Sequence, residues 1–276
     1  MLRAAVPHAG RKTGMKPPKA GKPLKPAAEV LWKEGVALSR QGQHGHACEK
    51  FEQAVQLNAR DALYWTNYAS ALNKCGRWDD AVAAARRGVE ADPQSLIANQ
   101  LLAQLHRDRR MHAEALAVLR SLPESVPKDA QHHLLIGACL SDMGEHKEAV
   151  QSFLNCISLR YDHQEAYTQL GFSLAKLRQY KQAAECFRTV TTLEPNLLSA
   201  ALYAPHYRAW ACDWAGVDEE KARLADTLDR LTEDTQNEAI SPFCLLSVTD
   251  DAELLKFLAT WDMRRYRHVK PAALSS

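Results

Sequence analysis

Residues 62–95 read ALYWTNYASALNKCGRWDDAVAAARRGVEADPQS, and residues 164–197 read QEAYTQLGFSLAKLRQYKQAAECFRTVTTLEPNL. Laid over one another they agree in kind: Ala69 falls on Gly171, Trp78 on Tyr180, Ala81 on Ala183, Ala85 on Phe187 and Pro93 on Pro195. The same 34-residue frame carries rows 28–61, 62–95, 96–129, 130–163 and 164–197 without insertion or deletion. One column is alanine in every row, as Ala47, Ala81, Ala115, Ala149 and Ala183. A second is small throughout (Gly35, Ala69, Ala103, Gly137, Gly171), and a third mostly bulky (Phe51, Ala85, Leu119, Phe153, Phe187). A ring stands in a fourth, as His44, Trp78, His112, His146 and Tyr180.

These columns describe two antiparallel helices per row. Apolar residues recur at helical spacing, as in Trp65, Tyr68 and Leu72, then Ala81, Ala85 and Val89. Where the two helices cross, only small side chains let the backbones approach at the short end of the usual ~8–10 Å separation. Gly42, Gly76 and Gly144 fall between the helices, where a left-handed residue is expected. Row-end prolines Pro93, Pro127 and Pro195 stop the second helix.

Around this block the composition narrows the function. The 276 residues carry 35 Lys+Arg against 33 Asp+Glu, a net +2, so bulk charge argues for no nucleic-acid partner. Seven cations and no acid lie in residues 1–27, together with Pro7, Pro17, Pro18, Pro23 and Pro26. That stretch reads as a solvated, self-repelling tail without the apolar core of a secretory signal. No window approaches the ~18 apolar residues of a membrane span. Seven cysteines without a C-x-x-C pair fit neither a disulfide framework nor a zinc cluster, and point to the cytoplasm.

The columns resemble the tetratricopeptide repeat (TPR) pattern over residues 28–197. The resemblance implies an all-α, right-handed superhelix of five helix pairs whose concave face holds an extended polypeptide. Two departures carry expectations. Glu34 stands at an apolar position, which makes the first repeat a partly exposed cap, and Arg110 followed by Leu122-Pro123 shortens the second helix of row three.

From Leu198 to Cys212 a sixth first-type helix is expected, with Pro205 as a candidate kink. Residues 217–231 predict an amphipathic helix with Ala222, Leu224, Leu228 and Leu231 as its apolar stripe, and Asp250 with Glu253 starts a last helix, 251–266. These segments are expected to close onto the last repeat, and residues 269–276 to form a flexible tail. The order His206, Cys212-Asp213-Trp214, Ser241-Pro242-Phe243 and Asp250-Asp251 resembles the join between repeats and catalytic region in SPINDLY-like protein O-linked N-acetylglucosaminyltransferases. That resemblance covers residues 198–268 and implies an acceptor-recruiting part of a nucleotide-sugar-dependent glycosyltransferase. Residues 1–276 contain no G-x-G-x-x-G, no Walker loop and no run of strands, so this stretch alone is not expected to transfer sugar or to hold a cofactor.

Metal and triad chemistry are weakly signalled. His44 shares a column with Trp78 and Tyr180, which favours packing, and neighbouring His132 and His133 point about 100° apart on a helix. Capture of a protein or peptide is the positive reading. By the TPR resemblance the first helices line the groove, which selects Asn67, Asn73, Lys74, Gln100, Gln104, Arg107, Thr168, Gln169 and Lys176. Amides there pair with both N–H and C=O of an extended backbone. The glycosyltransferase family is similar in using an asparagine ladder, of which this chain keeps Asn67 and the near substitute Gln169, with Lys33, Leu101 and Leu135 in the other rows.

Overall fold

The computed structural model describes residues 24–229 and Cys244, in a chain of two compact units, residues 1–91 and 92–276. The described residues form twelve α-helices and no strand. The first unit holds α1 (Leu24–Arg40), α2 (His44–Leu57), α3 (Ala62–Lys74) and α4 (Trp78–Ala91). The second holds α5 (Leu96–Asp108), α6 (His112–Arg120), α7 (Ala130–Asp142), α8 (His146–Leu159), α9 (Gln164–Lys176), α10 (Tyr180–Leu193), α11 (Leu198–Trp210) and α12 (Val217–Asp229). Within each unit the helices pack on their neighbours in sequential order. In addition α1 meets α3, and α5 and α9 both meet α7, while no two second helices of the described chain approach comparably. The first helices therefore form the tighter, inner side of each unit.

The row starts are honoured: α3, α5, α7, α9 and α11 begin at the first residue of their rows. Asp61, Ser95 and Asp129 cap three of them by accepting the backbone N–H of Leu63, Ala98 and His132. Helix α1 starts at Leu24, four residues before its row, and carries Pro26 in the first turn, where a missing N–H leaves no bond unmade. Glu34, exposed as expected, pairs with Lys50 of α2 at 2.8 Å. Helix α6 is nine residues long against 14 for α2, α4, α8 and α10. Pro123 disfavours helical backbone at Leu122 and ends it early.

All five alanines of the invariant-in-this-chain column are 0% exposed. The small and bulky columns prove to be one contact. A Cβ added to Gly35, Gly137 or Gly171 would meet the ring of Phe51, Phe153 or Phe187 at 2.7, 2.6 and 2.8 Å. These glycines are thus sockets for phenylalanine rings that are themselves buried. Rows two and three fill the same crossing with Ala69 and Ala85, and with Ala103 and Leu119, all buried.

The turns repeat as faithfully. Residues 42, 76, 110, 144, 178 and 212 all have positive φ, although three of them are Arg110 (60°), Arg178 (59°) and Cys212 (52°). In each turn this residue's N–H bonds three residues back and the next N–H bonds five back, as in Arg178 to Ala175 (2.9 Å) and Gln179 to Leu174 (2.9 Å). This is the Schellman closure, held here by hydrogen bonds even where no glycine relieves the backbone.

The sixth pair departs from the frame. Pro205 occupies the small-residue column, and α11 runs through it without ending. After Gly216, in left-handed backbone, α12 starts three residues later than the frame would place it. It packs on α11, but the face it buries is Glu220, Leu224 and Thr227, whereas Ala222, predicted to be in the stripe, is exposed. Charge explains the difference: Arg208 of α11 reaches Asp213 at 3.5 Å and the buried Glu220 at 3.6 Å, turning the acid inward. Leu231 and the helix predicted over 251–266 lie outside the described residues.

Gly137→Ala is expected to cost about 1–3 kcal/mol through clash with Phe153. Combining it with Phe153→Leu should return part of that loss, a coupling that a double-mutant cycle in urea measures directly. Arg178→Gly is expected to stabilise by about 0.5–1 kcal/mol, because glycine removes the left-handed penalty; a lowered urea midpoint would contradict the turn assignment.

Candidate partner-binding face

The inner helices present the residues selected from sequence in two conditions. Asn67 and Asn73 are half-buried on α3, next to exposed Lys74, and none of the three makes a side-chain hydrogen bond among the described residues. Gln169 and Lys176 on α9 are alike, half-buried and exposed. The others are engaged within the chain. Gln100 donates to Asp129 at 2.6 Å, Gln104 to Asp108 at 2.6 Å, and Thr168 to the Gln164 carbonyl at 3.1 Å. Arg107 donates through Nε to Asp142 at 3.2 Å, and the Nδ1 atom of His112 lies 3.4 Å from the same carboxylate oxygen. One acid on α7 thus ties α5 and the start of α6 to the next pair.

In the middle of the second unit the face changes character. Leu134, Leu135 and Ala138 of α7 are buried, so this helix contributes Ser141 and Asp142 at its end rather than a polar row. Farther along, aromatic groups take over. Phe172 of α9 stacks edge-on against Phe187 and Tyr203, each at 5.0 Å between ring centres. His206 and Tyr180 flank Trp210 at 5.9 and 5.4 Å, and Trp210 is 58% exposed. Phe172, Tyr203, His206 and Trp210 hold first-helix positions like those of the polar residues chosen above, whereas Tyr180 and Phe187 belong to α10; the row frame extended past residue 197 reaches Tyr203, His206 and Trp210. The Cys244 backbone hydrogen-bonds His206, and Cys244 is itself buried. Burial pushes the Tyr207 hydroxyl up to about 12, with Cys244 adding to the rise.

The ring column behaves less uniformly than expected. His44, His112, His146 and Tyr180 are half-buried at the starts of their helices, but Trp78 is 62% exposed and does not pack between helices. His132 and His133 meet edge to face at 5.6 Å, and no cluster of three or more His, Cys, Asp or Glu suited to a metal occurs among the described residues. A polar cleft of about 470 Å³ opens among α10, α11 and α12, but its Glu220 is already faced by Arg208 and Arg223, so its charges close on one another. No described helix is long and apolar enough to cross a membrane.

Burial lowers the pKa of His132 to about 4, helped by His133 and Lys128. The unfolded chain takes up that proton near 6.5 and the folded one does not, so stability is complete above pH ~6.5 and falls as pH drops toward 4, by at most about 1.4 kcal/mol per pH unit. His132→Leu should flatten that part of the profile; equal pH slopes in urea unfolding of both proteins would refute it.

Comparisons with known proteins agree with this architecture. A tetratricopeptide repeat model matches residues 33–95 and another residues 164–197, and the model for anaphase-promoting complex, cyclosome, subunit 3 matches residues 80–156. An uncharacterised protein of Methanocaldococcus jannaschii is 37% identical over 67 residues, 24% of this chain and 76% of that one. Three other curated relatives are much longer, and the chain spans only 12%, 18% and 19% of their lengths. PilF of Pseudomonas aeruginosa superposes with a TM-score of 0.67 at 14% identity, over 87% of this chain and all of that one. YrrB, described as a TPR protein with an unusual peptide-binding site, superposes with a TM-score of 0.56 at 21% identity, over 66% and 94%. At such identities the likeness is one of fold.

Proposed function

We propose that this chain, which belongs to the tetratricopeptide repeat family, is an interaction module that captures an extended segment of another protein on its inner helices. The observation that carries the reading is the pair Asn67 and Asn73 on α3, half-buried amides with no partner in the fold. These amides keep contact with solvent but have no protein partner, and a passing peptide backbone supplies both a donor and an acceptor for them. Gln169 on α9 repeats the arrangement, and Lys74 and Lys176 place a cation beside each. Gln100, Gln104 and Arg107 lie on a first helix of the second unit, as Gln169 does, but a ligand reaches them by exchange with Asp129, Asp108 and Asp142. The peptide-binding site described for YrrB lends support from a protein of similar fold.

Recruitment of acceptor protein to a glycosyltransferase region in a longer chain would use this same face. What supports it is the resemblance of residues 198–268, where Cys212-Asp213-Trp214 forms the turn that Arg208 pins. As a description of what residues 24–229 do, peptide capture comes first.

The test is selection of random displayed peptides on the full chain, with affinities measured by fluorescence anisotropy. Replacing Asn67 and Asn73 together by alanine should weaken the selected peptides about tenfold, the scale of two modest hydrogen bonds. Trp78→Ala, on an outer helix, should leave them unchanged. Failure to select any peptide, or binding that survives the asparagine pair and is lost with Trp78, rules the reading out.

A further inference from the structure

Cys48 and Cys75 stand 27 residues apart in sequence, yet their sulfurs are 3.9 Å apart in the first unit. Cys48 lies on α2 beside Ala47 and is buried; Cys75 caps the C-terminus of α3 and is exposed. Cys139, Cys156 and Cys186 are buried, as the alanine- and leucine-rich faces they share would suggest, so accessible Cys75 beside a second thiol is a different arrangement. A disulfide needs its sulfurs at about 2.05 Å. The gap here is short enough for side-chain rotation at a helix end, where Cys75 is held only through its N–H to the last turn of α3.

We propose that Cys48 and Cys75 form a dithiol site that closes to a reversible disulfide by exchange with a small-molecule disulfide of the glutathione class. Cys75 alone can meet the reagent. Its thiolate attacks one sulfur of the small disulfide, the S–S bond of the reagent breaks, and the first small thiolate leaves and takes up a proton. Cys48 then loses its proton to solvent, and its sulfur attacks that of Cys75, expelling the second small thiol. Two protein thiols are oxidised by two electrons and one small disulfide is reduced to two thiols. Burial pushes the Cys48 thiol up to about 12, with Cys75 adding to the rise and Arg77 opposing it, so the closing step quickens as pH rises. The product staples the second helix of one pair to the first helix of the next, directly behind Asn73 and Lys74.

The experiment equilibrates the full chain with graded mixtures of reduced and oxidised glutathione, alkylates the remaining thiols and maps the peptides by mass. A peptide linked through Cys48 and Cys75 is expected, reversed by dithiothreitol and retained in Cys212→Ser. Cys48→Ser should stop at a stable glutathione adduct on Cys75. A wild-type chain that keeps a persistent adduct on Cys75 with Cys48 still a thiol overturns the proposal. So does one in which oxidised glutathione modifies Cys212 and leaves Cys75 reduced.

Discussion

Everything in the stack depends on how closely two helix backbones can approach at one crossing. Gly35, Gly137 and Gly171 each give up a side chain so that a phenylalanine from the partner helix can lie flat against the backbone, and the contact distances leave no room for even a methyl group. The crossing therefore does not conserve a residue. Glycine faces phenylalanine in three rows and alanine faces leucine in row three, a smaller residue against a larger one, while row two sets alanine against alanine and leaves a smaller crossing. Close packing turns this into a pairwise constraint, because neither member can change size without the other. The sixth pair shows what happens when the constraint lapses. With Pro205 in the socket position, α12 leaves the frame and sets its buried Glu220 against Arg208 of α11.

The inner face divides polar groups by whether the fold already satisfies them. Arg107 and Asp142 form a bridge between successive pairs, and the buried Nδ1 atom of His112 lies near the same carboxylate without a hydrogen bond to it. Such exposed ion pairs contribute little to stability, commonly under about 1 kcal/mol, but they set what a ligand must displace. Asn67, Asn73 and Gln169 impose no such exchange. On the reading proposed above, affinity depends on the contrast between satisfied and unsatisfied groups more than on the number of polar side chains.

Most of the fold could be read from the chain. The alanine column, the row starts and the short second helix of row three were legible because each follows from a local rule of size, capping or proline geometry. The left-handed arginines were not. Nothing in the sequence marks Arg110, Arg178 or Cys212 as left-handed, since no propensity favours them there and the turn is imposed by hydrogen bonds on either side. Nor could the buried Glu220 be foreseen: the apolar spacing around it pointed elsewhere, and only its proximity to Arg208 explains the orientation of α12. Sequence also selected amides on the first helices without disclosing which would find internal partners, because Asp129 and Asp142 come from the N-cap and the last residue of α7.

Turns closed by hydrogen bonds alone have a consequence for how such a chain can vary. A position that accepts arginine and cysteine as well as glycine, at a modest backbone cost, is open to varied side chains, and it recurs once per repeat at the same corner of every pair. Side chains set there by drift or by design would form a ladder along one rim of each unit, evenly pitched and remote from the crossings. Chemistry grafted onto that rim would inherit the spacing of the repeat without disturbing the interior that generates it.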